Sequence, residues 1–91
     1  MSDLTPADVP VFNCLVIVSP RDAEGMVSAR AAELAGIVGR GKSEREALGQ
    51  VVAQFKDFVS RRYAAGDEIP WLKPPLVPGP QEQKRFIAVH L

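Results

Sequence analysis

The sequence has one cysteine, one histidine and no net charge. The single cysteine, Cys14, cannot form an intrachain disulfide, and a cysteine-rich zinc site is excluded. Eleven basic residues balance eleven acidic ones, so the overall charge does not favour nucleic acid or an anionic membrane surface. The longest uncharged run, residues 9–20, has 12 residues, whereas a helix needs about 20 to span a bilayer. We therefore expect no membrane partner.

The beginning of the chain has no basic segment followed by an apolar stretch and a small-residue cleavage site. We therefore expect a cytoplasmic protein rather than a secreted one. A chain of 91 residues with 46% hydrophobic content fits a single domain, 1–91, with one core. Residues 1–10 are mostly polar and contain two prolines, which indicates a loose N-terminal lead-in.

Three segments before residue 42 have the composition of β-strands. Residues 11–19 are rich in β-branched and aromatic side chains and are apolar on both alternating faces, which predicts a strand buried on both sides. Residues 26–32 predict a second strand after a polar turn that ends at Gly25. The short apolar segment at 36–41, bracketed by glycines, predicts a brief third strand.

A long helix is predicted next. Ser43 and Glu46 have the spacing of a capping box, in which each side chain satisfies a free backbone N–H at the helix start. Apolar residues then recur at helical spacing until Gly66, a typical residue just beyond a helix end. These signals predict a helix over residues 44–65, about 33 Å long.

Proline dominates the next segment and separates the helix from one more strand. Residues 70–83 form this connection, which contains too many prolines for a helix or a central strand. Residues 84–91 then predict a final strand. The whole chain is predicted to be an α+β domain, with a small antiparallel sheet in the order β-β-β-α-β and one long helix packed on one face.

One helix can cover only one face of such a sheet, yet the first strand is apolar on both faces. We expect another chain to cover the second face, which predicts a homo-oligomer, a dimer or a tetramer. The alternative is that Trp71, Leu72 and Leu76 from the proline-rich connection fold back over it. The residues predicted to form the partner or oligomer interface are Phe12, Cys14, Val16, Val18 and Phe86.

No constellation for catalysis is visible in the sequence. His90 lies in the last strand with no carboxylate or nucleophile placed beside it, and Cys14 lies in the most apolar strand, a setting typical of an inert thiol. We expect no enzymatic activity, no metal and no cofactor. Several basic residues leave an RNA-binding module open as an alternative; they are Arg40, Lys42, Arg45, Arg61 and Arg62.

The stretch from Glu33 to Leu48, ELAGIVGRGKSEREAL, resembles the core motif of the HicB-like antitoxin family. That motif has an acidic residue, Leu, Pro and Gly, then a short apolar strand, a Gly, and a Ser or Thr that caps a helix opening with Glu-Ala. The matching residues are Leu34, Gly36, Val38, Gly41, Ser43, Glu46, Ala47 and Leu48. The later run from Gly66 to Pro70 resembles the segment that follows the helix in this family.

The resemblance implies a partial ribonuclease H-like fold and a bacterial or archaeal cytoplasmic protein. It also implies an antitoxin that oligomerises and sequesters a small HicA-type mRNA-cleaving toxin by occlusion. Many members of the family carry an added DNA-binding domain. No such domain is visible in these 91 residues, so we expect no direct DNA binding. An orphan oligomeric domain is the alternative to the antitoxin, beside the RNA-binding module.

Overall fold

A computed structural model describes residues 10–91 of the chain. The elements are β1 (Val11–Val18), β2 (Val27–Ala31), β3 (Val38–Gly41), α1 (Glu44–Ala65) and β4 (Gln83–His90). The predicted α+β layout is confirmed, because the four strands form one antiparallel sheet and the single helix packs on it. The predicted lead-in falls outside the described residues except for its last residue, Pro10.

The strand order in the sheet is β3-β2-β1-β4, so β3 and β4 are the two edges. β1 lies between β2, where Val16 is opposite Ala31, and β4, where Cys14 is opposite Ile87. The final strand therefore pairs within its own chain and runs beside β1 over its whole length.

The helix begins and ends where its capping residues predict. The Ser43 hydroxyl accepts a hydrogen bond from the Glu46 N–H at 3.1 Å, and a carboxylate oxygen of Glu46 accepts one from the Lys42 N–H at 3.1 Å. Gly66 ends the helix with a φ of 72°, a left-handed conformation that glycine adopts without strain. These two caps explain why the predicted bounds agree with the observed ones.

The core lies between α1 and one face of the sheet. The helix contributes Ala47, Val51, Phe55 and Val59, all buried, and it lies mainly over β2 and β3. It approaches β3 closely because that strand has glycines at its inward positions: a Cβ on Gly39 would collide with the backbone oxygen of Ala47. The small residues of β3 thus allow the first turns of the helix to rest on the strand.

The proline-rich connection returns from the helix end to the sheet without helix or strand structure, as predicted. Its backbone is attached beside the end of β2, where the Leu72 N–H donates to the Glu33 C=O at 2.7 Å and the Leu76 N–H donates to the Ala32 C=O at 2.8 Å. Trp71 packs on the helix side of the sheet, its ring about 6 Å from that of Phe55. Trp71 therefore does not fold back over the second face.

Candidate functional site

The face assignment derived from the sequence is wrong for four of the five interface residues. These four are Phe12, Cys14, Val16 and Val18. The last three belong to the core beneath α1, and Phe12 is half-buried at the margin of that core. The fifth, Phe86, lies on the opposite face and is 72% exposed.

The register between β1 and β4 gives the physical reason. Directly opposite residues of an antiparallel pair have their side chains on the same face. Phe86 is opposite Leu15, whereas Cys14 is opposite Ile87, which packs against the core. Phe86 and Cys14 therefore cannot share a face. Because β1 is apolar on both sides, alternation alone could not show which side the helix covers.

The sheet face opposite α1, called the open face below, carries an apolar strip along β1 and β4. Three exposed polar residues of these strands share the face: Asn13, Lys84 and His90. Phe86 lies between Leu15, which is half-buried, and the outer edge of β4. Val11 is 48% exposed and Ala88 is also exposed on this face. Neither Val11 nor Leu15 was predicted as an interface residue, and only the pairing register distinguishes them from their neighbours in the sequence.

At the other end of the open face, an ion pair joins β2 to the turn before β4. Glu82, in the turn before β4, accepts hydrogen bonds from both terminal nitrogens of Arg30 at 2.7 and 2.9 Å and from the Ser19 hydroxyl at 2.6 Å. Arg30 and then Ser19 hold the pKa of the Glu82 carboxyl well below its usual range. Ile17, opposite Arg30 in the register, is fully buried here. The strip around Phe86 is thus the more accessible part of this face.

Side chains of the helix bond three of the four outward backbone groups of β3, namely all except the Val38 N–H. The Gln50 amide accepts from the Arg40 N–H and donates to the Arg40 C=O, both at 2.9 Å, as a neighbouring strand would. The Gln54 amide donates to the Val38 C=O at 2.6 Å. Edge backbone groups that are already bonded cannot template another strand.

The outer edge of β4 is open by comparison. The Leu91 N–H donates to the Pro10 C=O at 3.0 Å, so these two residues form a hydrogen-bonded pair. Hydrogen-bonded and non-hydrogen-bonded pairs alternate along the β1–β4 ladder from there. The backbone N–H and C=O groups that point away from β1 are then those of Lys84, Phe86, Ala88 and His90. Within residues 10–91, the one bond to these groups comes from the Arg85 guanidinium, which donates to the Lys84 C=O at 2.9 Å.

The basic residues considered for RNA binding fall into two groups near opposite ends of α1: Arg40, Lys42 and Arg45 near its start, and Arg61 and Arg62 near its end. Arg40 bonds to Asp22 at 2.9 Å and to Glu24 at 2.6 Å, and Arg61 bonds to Asp57 at 3.2 Å. The Met26 N–H and then Arg40 lower the pKa of Asp22. Two of these basic residues thus already have carboxylate partners.

Cys14 provides a direct check on the corrected face assignment. Burial, and secondarily the charge of Glu33, raises the pKa of this thiol to about 11. The thiolate is the reactive form, so we expect iodoacetamide at pH 8 to label the folded protein about a hundredfold more slowly than the urea-unfolded chain. Labelling followed by mass spectrometry measures both rates. Equal rates would mean that α1 does not cover Cys14.

No protein-family model matches this chain, and no curated protein or solved structure matches it either. Among residues 10–91 no helix combines the length and the apolar character that a bilayer crossing requires.

Proposed function

We propose that this domain is a protein-binding module of the HicB-like antitoxin type. It acts in the cytoplasm, forms a homo-oligomer and sequesters a small HicA-type mRNA-cleaving toxin by occlusion, without bond-making chemistry of its own. The observation that carries the proposal is the apolar strip of the open face, with Phe86 72% exposed at its centre. A large aromatic side chain exposed among other apolar residues is typical of a protein-interaction surface.

The chemistry of the strip favours a protein over RNA as the partner. Its centre is formed by Leu15, Phe86 and Ala88, which cannot pair with phosphate, and Lys84 is the cation next to Phe86 on this face. RNA binding needs several cations that are free to release counterions, whereas Arg40 and Arg61 have carboxylate partners. The resemblance of the stretch from Glu33 to Leu48 to the HicB-like motif is the reason to propose a HicA-type toxin as this protein partner.

The proposal is tested with the small protein encoded by the reading frame next to this one, where that protein has HicA-type RNA cleavage. Equimolar wild-type domain should abolish the cleavage. Phe86→Asp should weaken the complex by about tenfold or more, because a buried aromatic anchor is replaced by a charge. Val38→Asp is the matched control: Val38 is 56% exposed at the other edge of the same face, and its variant should inhibit like wild type.

Each contrary outcome has a definite meaning. Full inhibition by the folded Phe86→Asp variant would remove the strip from the interface. Absence of any complex between the wild-type domain and the neighbouring protein would overturn the antitoxin function. Salt-dependent binding of RNA by the isolated domain would replace it with the RNA-binding alternative.

A further inference from the structure

The two edges of the sheet differ in a way that concerns how copies of this chain associate. The helix side chains Gln50 and Gln54 occupy outward groups of β3, whereas Phe86, Ala88 and His90 in β4 present outward groups that have no partner within residues 10–91. A strand of this length with a free edge is a template for a further strand. Within residues 10–91, β4 is therefore the edge that offers a site for strand addition.

We infer that β4 pairs antiparallel with β4 of a second copy, joining the two sheets into one eight-stranded sheet. This inference rests on the oligomeric part of the proposed function and names its contact. A chain with two open edges would add copies without end, whereas one open edge gives a closed two-fold dimer. Because the edge of β3 is capped, we infer that the strand added at β4 comes from a second copy, and this pairing closes the assembly as a dimer.

The register follows from the pattern of outward groups and charges. With the two-fold axis at Ile87, Phe86 forms hydrogen-bonded pairs with Ala88 of the second copy, and Lys84 lies opposite His90 of that copy. All four outward-pointing residues are then paired. An axis at Arg85 would put the two Arg85 side chains opposite each other, and an axis at Phe86 would leave His90 unpaired.

This register also suits the side chains on both faces of the sheet. On the open face, Phe86, 72% exposed in one chain, lies beside Ala88 of the second copy. On the helix face, Arg85 lies opposite Val89 of the second copy, and its own carboxylate partner, Glu44, stays at 2.8 Å within the same chain. The two Ile87 side chains meet at the axis, so no charged residues are opposite each other at the centre of the pairing.

The first test uses proline at an outward position. Ala88 is opposite Asn13 in the β1 ladder, and its N–H points away from β1, so Ala88→Pro removes a bond to the second copy while keeping the pairing with β1. Sedimentation velocity should show a wild-type dimer, and the proline variant should raise the dimer dissociation constant by about tenfold or more. Ala88→Ser, which retains the N–H, should dimerise like wild type.

The second test does not depend on the tolerance of proline. Ile87→Cys places two thiols opposite each other across the axis, where Cβ atoms of an antiparallel pair lie about 4.5–5.5 Å apart. Mild oxidation should convert most of this variant into a disulfide-linked dimer. Val38→Cys at the capped edge should stay monomeric on denaturing gels. Both variants are made in a Cys14→Ala background, because Cys14 lies opposite Ile87 in the β1–β4 ladder and would otherwise compete for the new thiol.

The outcomes separate this inference from the proposed function. A wild-type protein that is monomeric at high micromolar concentration overturns the inference. A dimer that Ala88→Pro leaves intact and that Ile87→Cys does not link overturns it too, and shows that another surface joins the copies. If Ala88→Pro abolishes toxin binding but not self-association, the toxin and not a second copy occupies this edge. If a strictly monomeric domain inhibits the toxin, the inferred dimer is wrong while sequestration of the toxin remains supported.

Discussion

Phe55→Ala is expected to lower the free energy of unfolding by about 3–5 kcal/mol. The Phe55 ring is 1% exposed, lies between α1 and the sheet, and packs about 6 Å from the ring of Trp71. Its removal leaves a cavity beneath the helix that the surrounding small residues cannot fill. Urea denaturation followed by circular dichroism measures the loss.

Phe86→Ala is the matched control for that change, because the same atoms are removed from the other face of the sheet. At 72% exposure the Phe86 ring contributes little to folding of a single chain, and we expect a change within about 0.5 kcal/mol. The comparison is made at concentrations low enough to keep both variants monomeric. A large loss with Phe86→Ala and a small one with Phe55→Ala would reverse the face assignment.

Gly39→Ala should destabilise the fold by about 1–3 kcal/mol, although alanine is only one methyl group larger than glycine. The new Cβ would overlap the backbone oxygen of Ala47 and lie 2.9 Å from the Gln50 Cβ, so α1 must move away from β3. That movement also loosens the amide cap on the Arg40 backbone. The expected result is a lower midpoint of thermal and urea unfolding.

Gly49→Ala provides the control within the same helix. A Cβ on Gly49 meets nothing within 4 Å, and alanine is a better helix former than glycine by about 1 kcal/mol. This variant should therefore be more stable than wild type. If Gly39→Ala were equally stabilising, the helix would not rest on β3 as closely as described.

Local signals predicted the elements well because they depend on neighbouring residues. Ser43 and Glu46 determine where the helix begins, Gly66 determines where it ends, and the observed bounds Glu44–Ala65 agree with the prediction. The observed bounds of the strands differ from the predicted ones by a residue or two. The first strand ends at Val18 rather than at residue 19, and the last begins at Gln83 rather than at residue 84. Such ends depend on ladder partners that are distant in the sequence.

The candidate site was harder to predict because it depends on which strands are neighbours. The alternation in β1 separates Cys14 from Leu15 correctly, but both faces are apolar, and the sequence does not indicate which one receives the helix. The edge position of β4 and the amide cap from Gln50 are tertiary features with no local pattern. The exposed position of Phe86 agrees with the sequence, which places this large aromatic residue on the less apolar face of the last strand.

The position of Trp71 has a practical consequence for spectroscopy. It is the only tryptophan of the chain, and its ring lies about 6 Å from those of Phe12 and Phe55 on the helix side of the sheet. Its emission therefore reports on the integrity of the core and is remote from the surface around Phe86. Folding can be followed optically in this protein while association is followed by mass, and the two signals stay independent.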